Sequence, residues 1–379
     1  MKTVLVATGI MNAGGTETLI MEILRHQTGK VRYIMLIHYA GEITKGVFDN
    51  EIRGMNVPIV YIKSVSDLGI KGYCNEFKKV VAEIGPVDII HSHLNAIGGI
   101  ICMAAKQVGI KHRICHCHAN ICFNSGLIHR LKQETMLQIS RILISIYGTQ
   151  FWACSHEAWK RLFFPWKKEV IIPNMIDVGK YLSHPSERET AKDVIGMRGK
   201  FVIGSVGRVA RIKNYELVLK IVACLKQRDT EAHFVCYGRF DAQRDSYCAE
   251  LLTMAEKLDI ADRIHFMGNT NQVAKDIKTF DVFLMTSVTE GFGMAAIEAQ
   301  AAGIPSLLST GIPRIVDVGA GIVTFLSIKN VDVWVDAVMN ASAIMIPSND
   351  TIMECFERKG YNSTSIVKWI EEQYRELEN

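Results

Sequence analysis

Residues 201–227 read FVIGSVGRVARIKNYELVLKIVACLKQ. The first six residues are mostly apolar and predict a strand that is buried on both faces. A loop with Gly207, Arg208 and Lys213 follows, and apolar residues then recur at helical spacing over Tyr215–Gln227. This order of strand, loop and helix predicts an α/β protein whose parallel sheet is covered by helices.

The same alternation continues on both sides of this stretch. Further strands are predicted at residues 3–8, 33–38, 59–62, 88–91, 113–116, 151–153, 170–172, 233–237, 263–266, 282–285 and 306–309. Residues 177–200 interrupt the pattern because they are polar and contain no strand signal. The sequence therefore predicts two doubly wound, Rossmann-like domains whose strand ends, where such sheets bind ligands, face each other across a cleft.

The domain boundaries are predicted from the same interruption. Residues 1–177 are expected to form the first domain, residues 178–200 a linker, and residues 201–360 the second domain. The amphipathic residues 361–379 are expected to form a helix that packs back on the first domain.

Composition excludes several classes of protein. The chain has 379 residues, of which 49% are hydrophobic and 22% are charged, so it is not disordered as a whole. Met1–Ile10 lacks the cleavage pattern of a signal peptide, and no apolar stretch is long enough to span a bilayer. The ten cysteines form no Cys-x-x-Cys pair, which is typical of reduced thiols in a cytosol.

The net charge is unevenly distributed along the chain. Residues 1–180 contain 21 Lys and Arg against 13 Asp and Glu, a charge of +8, and the remainder carries −4. The total of +4 is too small for a protein that coats nucleic acid. The asymmetry suggests two domains that face different partners.

Two glycine loops follow predicted strands. Gly14, Gly15 and Thr16 precede a helix, where backbone amides favour an anion such as phosphate, although a tight turn would also need glycines. After Gly207, two cations, Arg208 and Lys213, lie at the edge of the second sheet. Solvated loop charge is the alternative, but two cations before a helix suit a diphosphate.

Two carboxylates, Glu290 and Glu298, stand eight residues apart across a strand–loop–helix junction. Carboxylates accept hydrogen bonds from sugar or ribose hydroxyls. Between them lie residues whose backbone amides can approach a ligand: Gly291, Phe292, Gly293 and Met294. Residues 291–296 also fit the dinucleotide pattern G-x-G-x-x-A, but no acidic residue ends a strand about 20 residues later.

Four histidines lie where two predicted strands pass into loops: His91, His93, His116 and His118. Strand alternation places His116 and His118 on the same side, with Cys115 and Cys117 opposite. Their spacing matches no common zinc pattern, so no metal is expected, and one histidine that hydrogen-bonds a substrate is favoured.

Aromatic and basic residues alternate over 159–168, WKRLFFPWKK. This interleaving suits an anionic membrane surface. A helix end with buried aromatics and exposed lysines explains the same residues and is the preferred local interpretation.

Together these motifs resemble the family-4 glycosyltransferases of the GT-B fold, especially the bacterial enzymes that build capsular polysaccharide and exopolysaccharide. The matching segments run in the same order over nearly the whole chain: residues 14–18, the two His-x-His pairs, 172–174, 207–208, 213–214, 266–268, 290–298 and 301–305. The chain departs from the family at Pro313-Arg314, where Pro-Glu is frequent, so no acidic role is assigned there.

The resemblance implies specific roles for these residues. Arg208 and Lys213 would neutralise the donor diphosphate, and Glu290 would hold hydroxyls of the donor sugar. His118 is similar to the family's cleft histidine, with His116 as the alternative. The implied donor-binding residues are Gly14, Gly15, Thr16, Gly207, Gly291, Phe292, Gly293, Met294 and Glu298, the last of which would accept hydrogen bonds from the ribose.

The implied activity is a retaining transfer of a hexosyl or N-acetylhexosaminyl group from a nucleotide sugar, of UDP type, to a glycan or lipid-linked acceptor. No cofactor, metal or nucleic acid is implied. The basic first half suggests a cytoplasmic enzyme in peripheral contact with the anionic inner face of the membrane. The alternatives are a nucleotide-sugar epimerase, a sugar phosphorylase, a non-catalytic nucleotide-sugar binding protein and a dinucleotide enzyme.

Overall fold

A computed structural model describes residues 1–12, 14–118 and 127–377. The chain divides into two compact units, unit 1 (Met1–Ile176 with Gly360–Asn379) and unit 2 (Asp177–Lys359). Each unit contains one parallel sheet with helices packed on it. The predicted α/β fold with two Rossmann-like units is therefore confirmed.

Unit 1 contains a seven-stranded sheet in the order β3-β2-β1-β4-β5-β6-β7. Its strands are β1 (Lys2–Thr8), β2 (Val31–Tyr39), β3 (Ile59–Lys63), β4 (Ile89–Ser92), β5 (His112–Cys117), β6 (Gln150–Ala153) and β7 (Glu169–Ile171). Its helices are α1 (Gly15–Arg25), α2 (Asp49–Gly54), α3 (Val65–Ile84), α4 (Gly98–Gln107), α5 (Leu127–Tyr147), α6 (His156–Leu162) and α15 (Ser363–Glu376). The strand order reverses between β1 and β4, which is where sheets of this kind bind ligands.

Unit 2 contains a six-stranded sheet in the order β10-β9-β8-β11-β12-β13, which reverses between β8 and β11. Its strands are β8 (Phe201–Val206), β9 (Ala232–Tyr237), β10 (Ile264–Gly268), β11 (Val282–Met285), β12 (Ser306–Ser309) and β13 (Val323–Leu326). Its helices are α7 (Val178–Tyr181), α8 (Pro185–Val194), α9 (Tyr215–Gln227), α10 (Ser246–Lys257), α11 (Val273–Asp276), α12 (Met294–Ala301), α13 (Val331–Met339) and α14 (Asn349–Lys359).

Helix α15 belongs to unit 1 although it follows unit 2 in the chain. Its apolar side joins a buried cluster with residues of β1, β2 and α1, through Ile366, Val367, Ile370 and Tyr374. Buried Glu371 accepts hydrogen bonds from Thr28 and Tyr33, so this carboxylate is not left unpartnered. No helix among the described residues is both long enough and apolar enough to cross a membrane.

Residues 178–200, which the sequence predicts to be a linker, form two helices of unit 2 instead. The ammonium group of Lys192 is buried and donates hydrogen bonds to Asp281, Glu189 and the carbonyl of Lys200. Asp281 in turn accepts the backbone amide of Val202 at 2.7 Å. The polar composition of this segment predicts a linker, but its charges pair within unit 2, which composition does not reveal.

We expect Lys192→Met to lower the free energy of unfolding by about 1–3 kcal/mol, because it removes the buried ammonium that binds Asp281 and leaves Arg188, at 4.0 Å, as the remaining cation beside this carboxylate. Lys180→Met is the matched control: Lys180 pairs with Asp177, but its side chain is 51% exposed, and such pairs contribute about 0–1 kcal/mol. Urea unfolding of both variants measures the difference. Equal stabilities would show that α8 is not anchored through Lys192.

Candidate functional site

Two loops at the carboxyl ends of β8 and β11 are joined by hydrogen bonds. The amide of Val288 donates to the carbonyl of Ile212 at 2.8 Å. The hydroxyl of Thr286 donates to the carbonyls of Lys213 and Asn214 at 2.9 and 3.0 Å. Because β8 and β11 are neighbours at the reversal of strand order, these bonds fix the geometry of the crevice where a ligand is expected.

Lys213 and Glu290 meet across this junction. The Lys213 ammonium donates to Glu290 Oε1 at 2.5 Å, and the Ser287 hydroxyl donates to the same oxygen at 2.6 Å. The two side chains are 23% and 15% exposed, so a ligand can reach them. Glu290 Oε2 has no hydrogen-bond donor among the described residues. An ammonium group has three protons, so Lys213 can bind Glu290 and a phosphate together.

Arg208 and Arg211 differ although they are neighbours in the loop after β8. Arg211 donates to both carboxylate oxygens of Glu250, at 2.6 and 2.7 Å, and lies over the ring of Tyr247. Arg208 is exposed, and no ion pair holds it within the described part of the chain. Arg208 and Lys213 are therefore the cations of this loop that are available to a ligand.

Two glycines, one directly after β9 and one directly before α12, allow close approach of the backbone. Gly238 has a φ of +149°, and a Cβ there would lie 2.1 Å from the carbonyl oxygen of Gly207. Gly293 has a φ of +106° and caps α12, whose first residue is Met294. Both positions favour glycine because a side chain would clash or be strained.

The remaining residues predicted for the second unit lie near the start of α12. Gly291 is in the loop, Phe292 is buried, and Glu298 is 8% exposed on the helix. The hydroxyl of Tyr181 donates to Glu298 Oε1 at 3.1 Å. Arg314, at the departure from the family pattern, lies over the ring of Phe325 at 3.9 Å.

In unit 1, Gly14 caps α1 and Gly15 is its first residue. Gly15 is exposed and Thr16 is partly exposed, so the amino end of this helix is open to a ligand. The Glu17 carboxylate lies over Gly14, where an added Cβ would come within 2.3 Å of Oε2. Burial raises the pKa of Glu17, so its carboxylate is less readily ionised beside a phosphate.

The four predicted histidines lie together on one face of β4 and β5. Their exposures range from 0% to 9%. The ring nitrogens His91 Nε2 and His116 Nδ1 lie 3.1 Å apart, and His93 Nδ1 and His118 Nε2 lie 2.8 Å apart. The opposite face carries Cys115 and Cys117 in a different apolar cluster. This arrangement is the one that strand alternation predicts.

Burial controls the protonation of these histidines. Loss of hydration lowers the pKa of His91, His93 and His116 well below its usual value, and it lowers that of His118 to about 3. All four imidazoles are therefore neutral near pH 7. Neutral imidazole can accept a hydrogen bond or a metal ion through an unprotonated nitrogen.

Sequence reasoning missed two partners of the histidines. The hydroxyl of Tyr374 lies 2.6 Å from His91 Nδ1, and Asn95 Oδ1 accepts the amide of His118 at 2.9 Å. Tyr374 follows His91 by 283 residues, so no local pattern connects them. The residues after His118, 119–126, lie outside the described residues.

Residues 187–340 match the family model described as "Glycosyl transferases group 1". The Bacillus subtilis (strain 168) protein named "Putative glycosyltransferase EpsF" is 29% identical over 94% of this chain and 92% of its own length. An Escherichia coli relative named "UDP-Gal:alpha-D-GlcNAc-diphosphoundecaprenol alpha-1,3-galactosyltransferase" is 23% identical over 69% of this chain and 67% of its own length.

The solved structure of Anabaena HepE in complex with UDP is similar over 100% of both chains, with a TM-score of 0.80 and 17% identity. At this identity the likeness shows the fold alone, which is the GT-B fold. The resemblance predicted from the sequence is confirmed. The chain is a glycosyltransferase. A Staphylococcus aureus relative, 23% identical over 76% of this chain and 76% of its own length, is named "Capsular polysaccharide biosynthesis glycosyltransferase CapH".

Proposed function

We propose that this chain transfers a hexosyl or N-acetylhexosaminyl group from a UDP-sugar to a glycan or lipid-linked saccharide, with retention of anomeric configuration and without a metal ion. The observation that supports the donor site most is the Lys213–Glu290 pair, held between the loops after β8 and β11. The UDP-sugar and the lipid-linked acceptor are suggested by the names of the E. coli and Anabaena proteins.

Charge at these loops suits the departure of a nucleoside diphosphate. Arg208 and Lys213 would bind the diphosphate oxygens and stabilise the negative charge that grows as the glycosidic bond breaks. Because the protein itself supplies both cations, no divalent ion is needed for this task. Glu290 Oε2 would accept a hydroxyl of the donor sugar, while Oε1 stays bound to Ser287 and Lys213.

The other predicted residues have supporting roles in this proposal. Glu298 would bind the ribose hydroxyls, and the amides of Phe292, Gly293 and Met294 would approach the sugar and phosphate. Gly14, Gly15 and Thr16 would contribute amides from α1. His118 would contribute its Nδ1, which is buried and has no partner within the described part of the chain.

Lys213→Ala should lower kcat/KM for transfer by about 30- to 1,000-fold, which corresponds to about 2–4 kcal/mol of transition-state stabilisation. The loss has two causes: one cation is removed, and the Glu290 carboxylate is left unpaired beside the diphosphate. Initial rates are measured with a radiolabelled UDP-sugar and an acceptor extract, with and without EDTA.

Arg211→Ala is the matched control, because Arg211 is a cation of the same turn but is bound to Glu250. It should keep a rate within a few-fold of the wild type. A Lys213→Ala variant as active as Arg211→Ala would contradict the diphosphate role. Loss of all activity in EDTA, restored by Mn²⁺, would contradict metal independence.

A thermal-denaturation screen of UDP-, GDP- and ADP-sugars tests the donor. At a concentration of about 100 Kd the correct donor should stabilise the protein by about 2.7 kcal/mol. Incubation of that donor without acceptor distinguishes the activity from epimerisation, because a transferase does not convert the donor into its epimer. No stabilisation by any UDP-sugar would contradict the proposed donor.

An exposed apolar stripe on α5 supports peripheral binding to a membrane. Leu131, Ile139, Ile142 and Ile146 are 49–60% exposed and follow helical spacing, opposite buried Leu137 and Ile144. Trp166, 70% exposed, stacks on Phe164, and the Arg141 guanidinium lies 4.6 Å from the Phe164 ring centre. We call the stripe and Trp166 the α5 surface.

Cations accompany the α5 surface. Arg130, Lys160 and Lys168 are exposed, and unit 1 as a whole contains 22 Lys and Arg against 16 Asp and Glu, a charge of +6. Apolar side chains that insert beside cations are typical of proteins that bind anionic lipid surfaces. Trp159 and Phe163 of the segment 159–168 are buried and belong to the core instead.

The protein should sediment with vesicles that contain phosphatidylglycerol, and much less with phosphatidylcholine alone. Ile142→Glu should weaken this binding by about tenfold, since it places a carboxylate in the stripe that enters the lipid. Met345→Glu, at a position 90% exposed in unit 2, is the matched control and should bind as the wild type does. Equal binding of both variants would exclude the α5 surface.

A further inference from the structure

Three of the four buried histidines bring ligand atoms together. One ring nitrogen from each of His91, His93 and His116 lies within 4.8 Å of the others. Two of the ring nitrogens in this cluster, His93 Nε2 and His116 Nε2, are buried and have no hydrogen-bond partner in residues 1–12, 14–118 and 127–377. Unpartnered nitrogen atoms of this kind are rare in protein interiors because each costs about 1–3 kcal/mol.

In two of these rings, His91 and His93, the Nδ1 atom has a hydrogen-bond partner, and this contact orients the ring and its Nε2 atom. His91 Nδ1 lies 2.6 Å from the hydroxyl of Tyr374, and His93 Nδ1 lies 2.8 Å from His118 Nε2. A histidine that ligates a metal usually donates its other N–H to such an outer partner, which fixes the tautomer and the ring orientation. In this arrangement His93 Nδ1–H donates to His118, and His93 Nε2 presents a lone pair.

His116 completes the set. Its Nδ1 contacts His91 Nε2 at 3.1 Å, and its Nε2 is one of the two nitrogens without a partner. A cation bound through Nε2 of each ring would take the place of the contact between His91 Nε2 and His116 Nδ1. In a tetrahedral site with metal–nitrogen bonds of about 2.0–2.1 Å, ligand nitrogens lie about 3.4 Å apart. The three nitrogens, which lie within 4.8 Å of one another, would reach that separation through rotation of the rings.

We propose that His91, His93 and His116 bind one divalent transition-metal ion of the zinc, cobalt or nickel class. Imidazole ligands select these ions over Mg²⁺, Ca²⁺ and Mn²⁺, which prefer oxygen. Three protein ligands leave the fourth position to a water molecule. All three ligands lie in unit 1, and the ion has no assigned part in the proposed transfer, although His118, which His93 contacts, does.

The test uses the full chain after treatment with a chelator and removal of the chelator. Co²⁺ is titrated in, and visible absorption and calorimetry report its coordination and stoichiometry. The wild type should bind one Co²⁺ with the absorption of a four-coordinate site, and Zn²⁺ should displace it. His93→Gln and His116→Gln should each weaken binding by at least tenfold. Tyr374→Phe, which removes the outer partner of His91, should weaken it by about 10- to 100-fold.

His233→Gln is the matched control. His233 pairs with His265 in unit 2 at 3.2 Å and lies outside the cluster, so this variant should bind Co²⁺ as the wild type does. Circular dichroism of the metal-free variants tests whether each is folded. If a histidine variant is unfolded, Tyr374→Phe tests the metal site in its place.

Two results would overturn the proposal. One is the absence of stoichiometric binding of Co²⁺ and Zn²⁺ by the wild type. The other is binding by folded His93→Gln or His116→Gln with wild-type affinity, which would place the ion elsewhere. Neither result depends on a nucleotide sugar. Failure to bind a metal ion would therefore not contradict the proposed transfer, and lack of transferase activity would not contradict the proposed metal site.

Discussion

The ion pair between Lys213 and Glu290 joins the two loops on which the proposed donor site depends. A solvent-accessible ion pair by itself contributes little to stability, but this one is partly buried, and Ser287 and the hydrogen bonds of Thr286 and Val288 hold the loops on either side of it. The pair keeps a cation at the reversal of the strand order, where parallel sheets present amides and side chains to a ligand. It also orients Glu290, with one carboxylate oxygen available to a ligand.

Unit 1 has a different kind of polar centre. Its histidines are buried on the sheet and are neutral, and they are held from one side by Tyr374 of α15. Helix α15 is in turn fixed by apolar contacts and by Glu371, which binds Thr28 and Tyr33. The last helix of the chain therefore supports the cluster at β4 and β5. Its loss would remove a hydrogen-bond partner of His91 as well as part of the core.

Local patterns predicted the sheets well because strands buried on both faces are recognisable from apolar residues alone. Twelve strands were expected close to where they occur, whereas β13 (Val323–Leu326) was missed because polar Thr324 interrupts a short run. The placement of Lys213 and Glu290 after neighbouring strands was also predictable, since the motifs follow strand ends. The contact between Lys213 and Glu290 depends on the pairing of β8 with β11 in the sheet. Local spacing in the sequence does not predict this strand order. The pairing of Lys192 with Asp281 and of His91 with Tyr374 was hidden for the same reason.

Binding of a nucleoside diphosphate, compared with binding of the same nucleoside without phosphates, tests most directly whether Lys213 holds the donor diphosphate. Calorimetry on the wild type and on Lys213→Ala, with UDP and with uridine, separates the phosphate contacts from those to the base and ribose. The predicted result is UDP binding at least tenfold weaker in the variant, with uridine binding unchanged. Equal affinity of the two proteins for UDP, or an equal loss for UDP and uridine, would contradict the role assigned to Lys213.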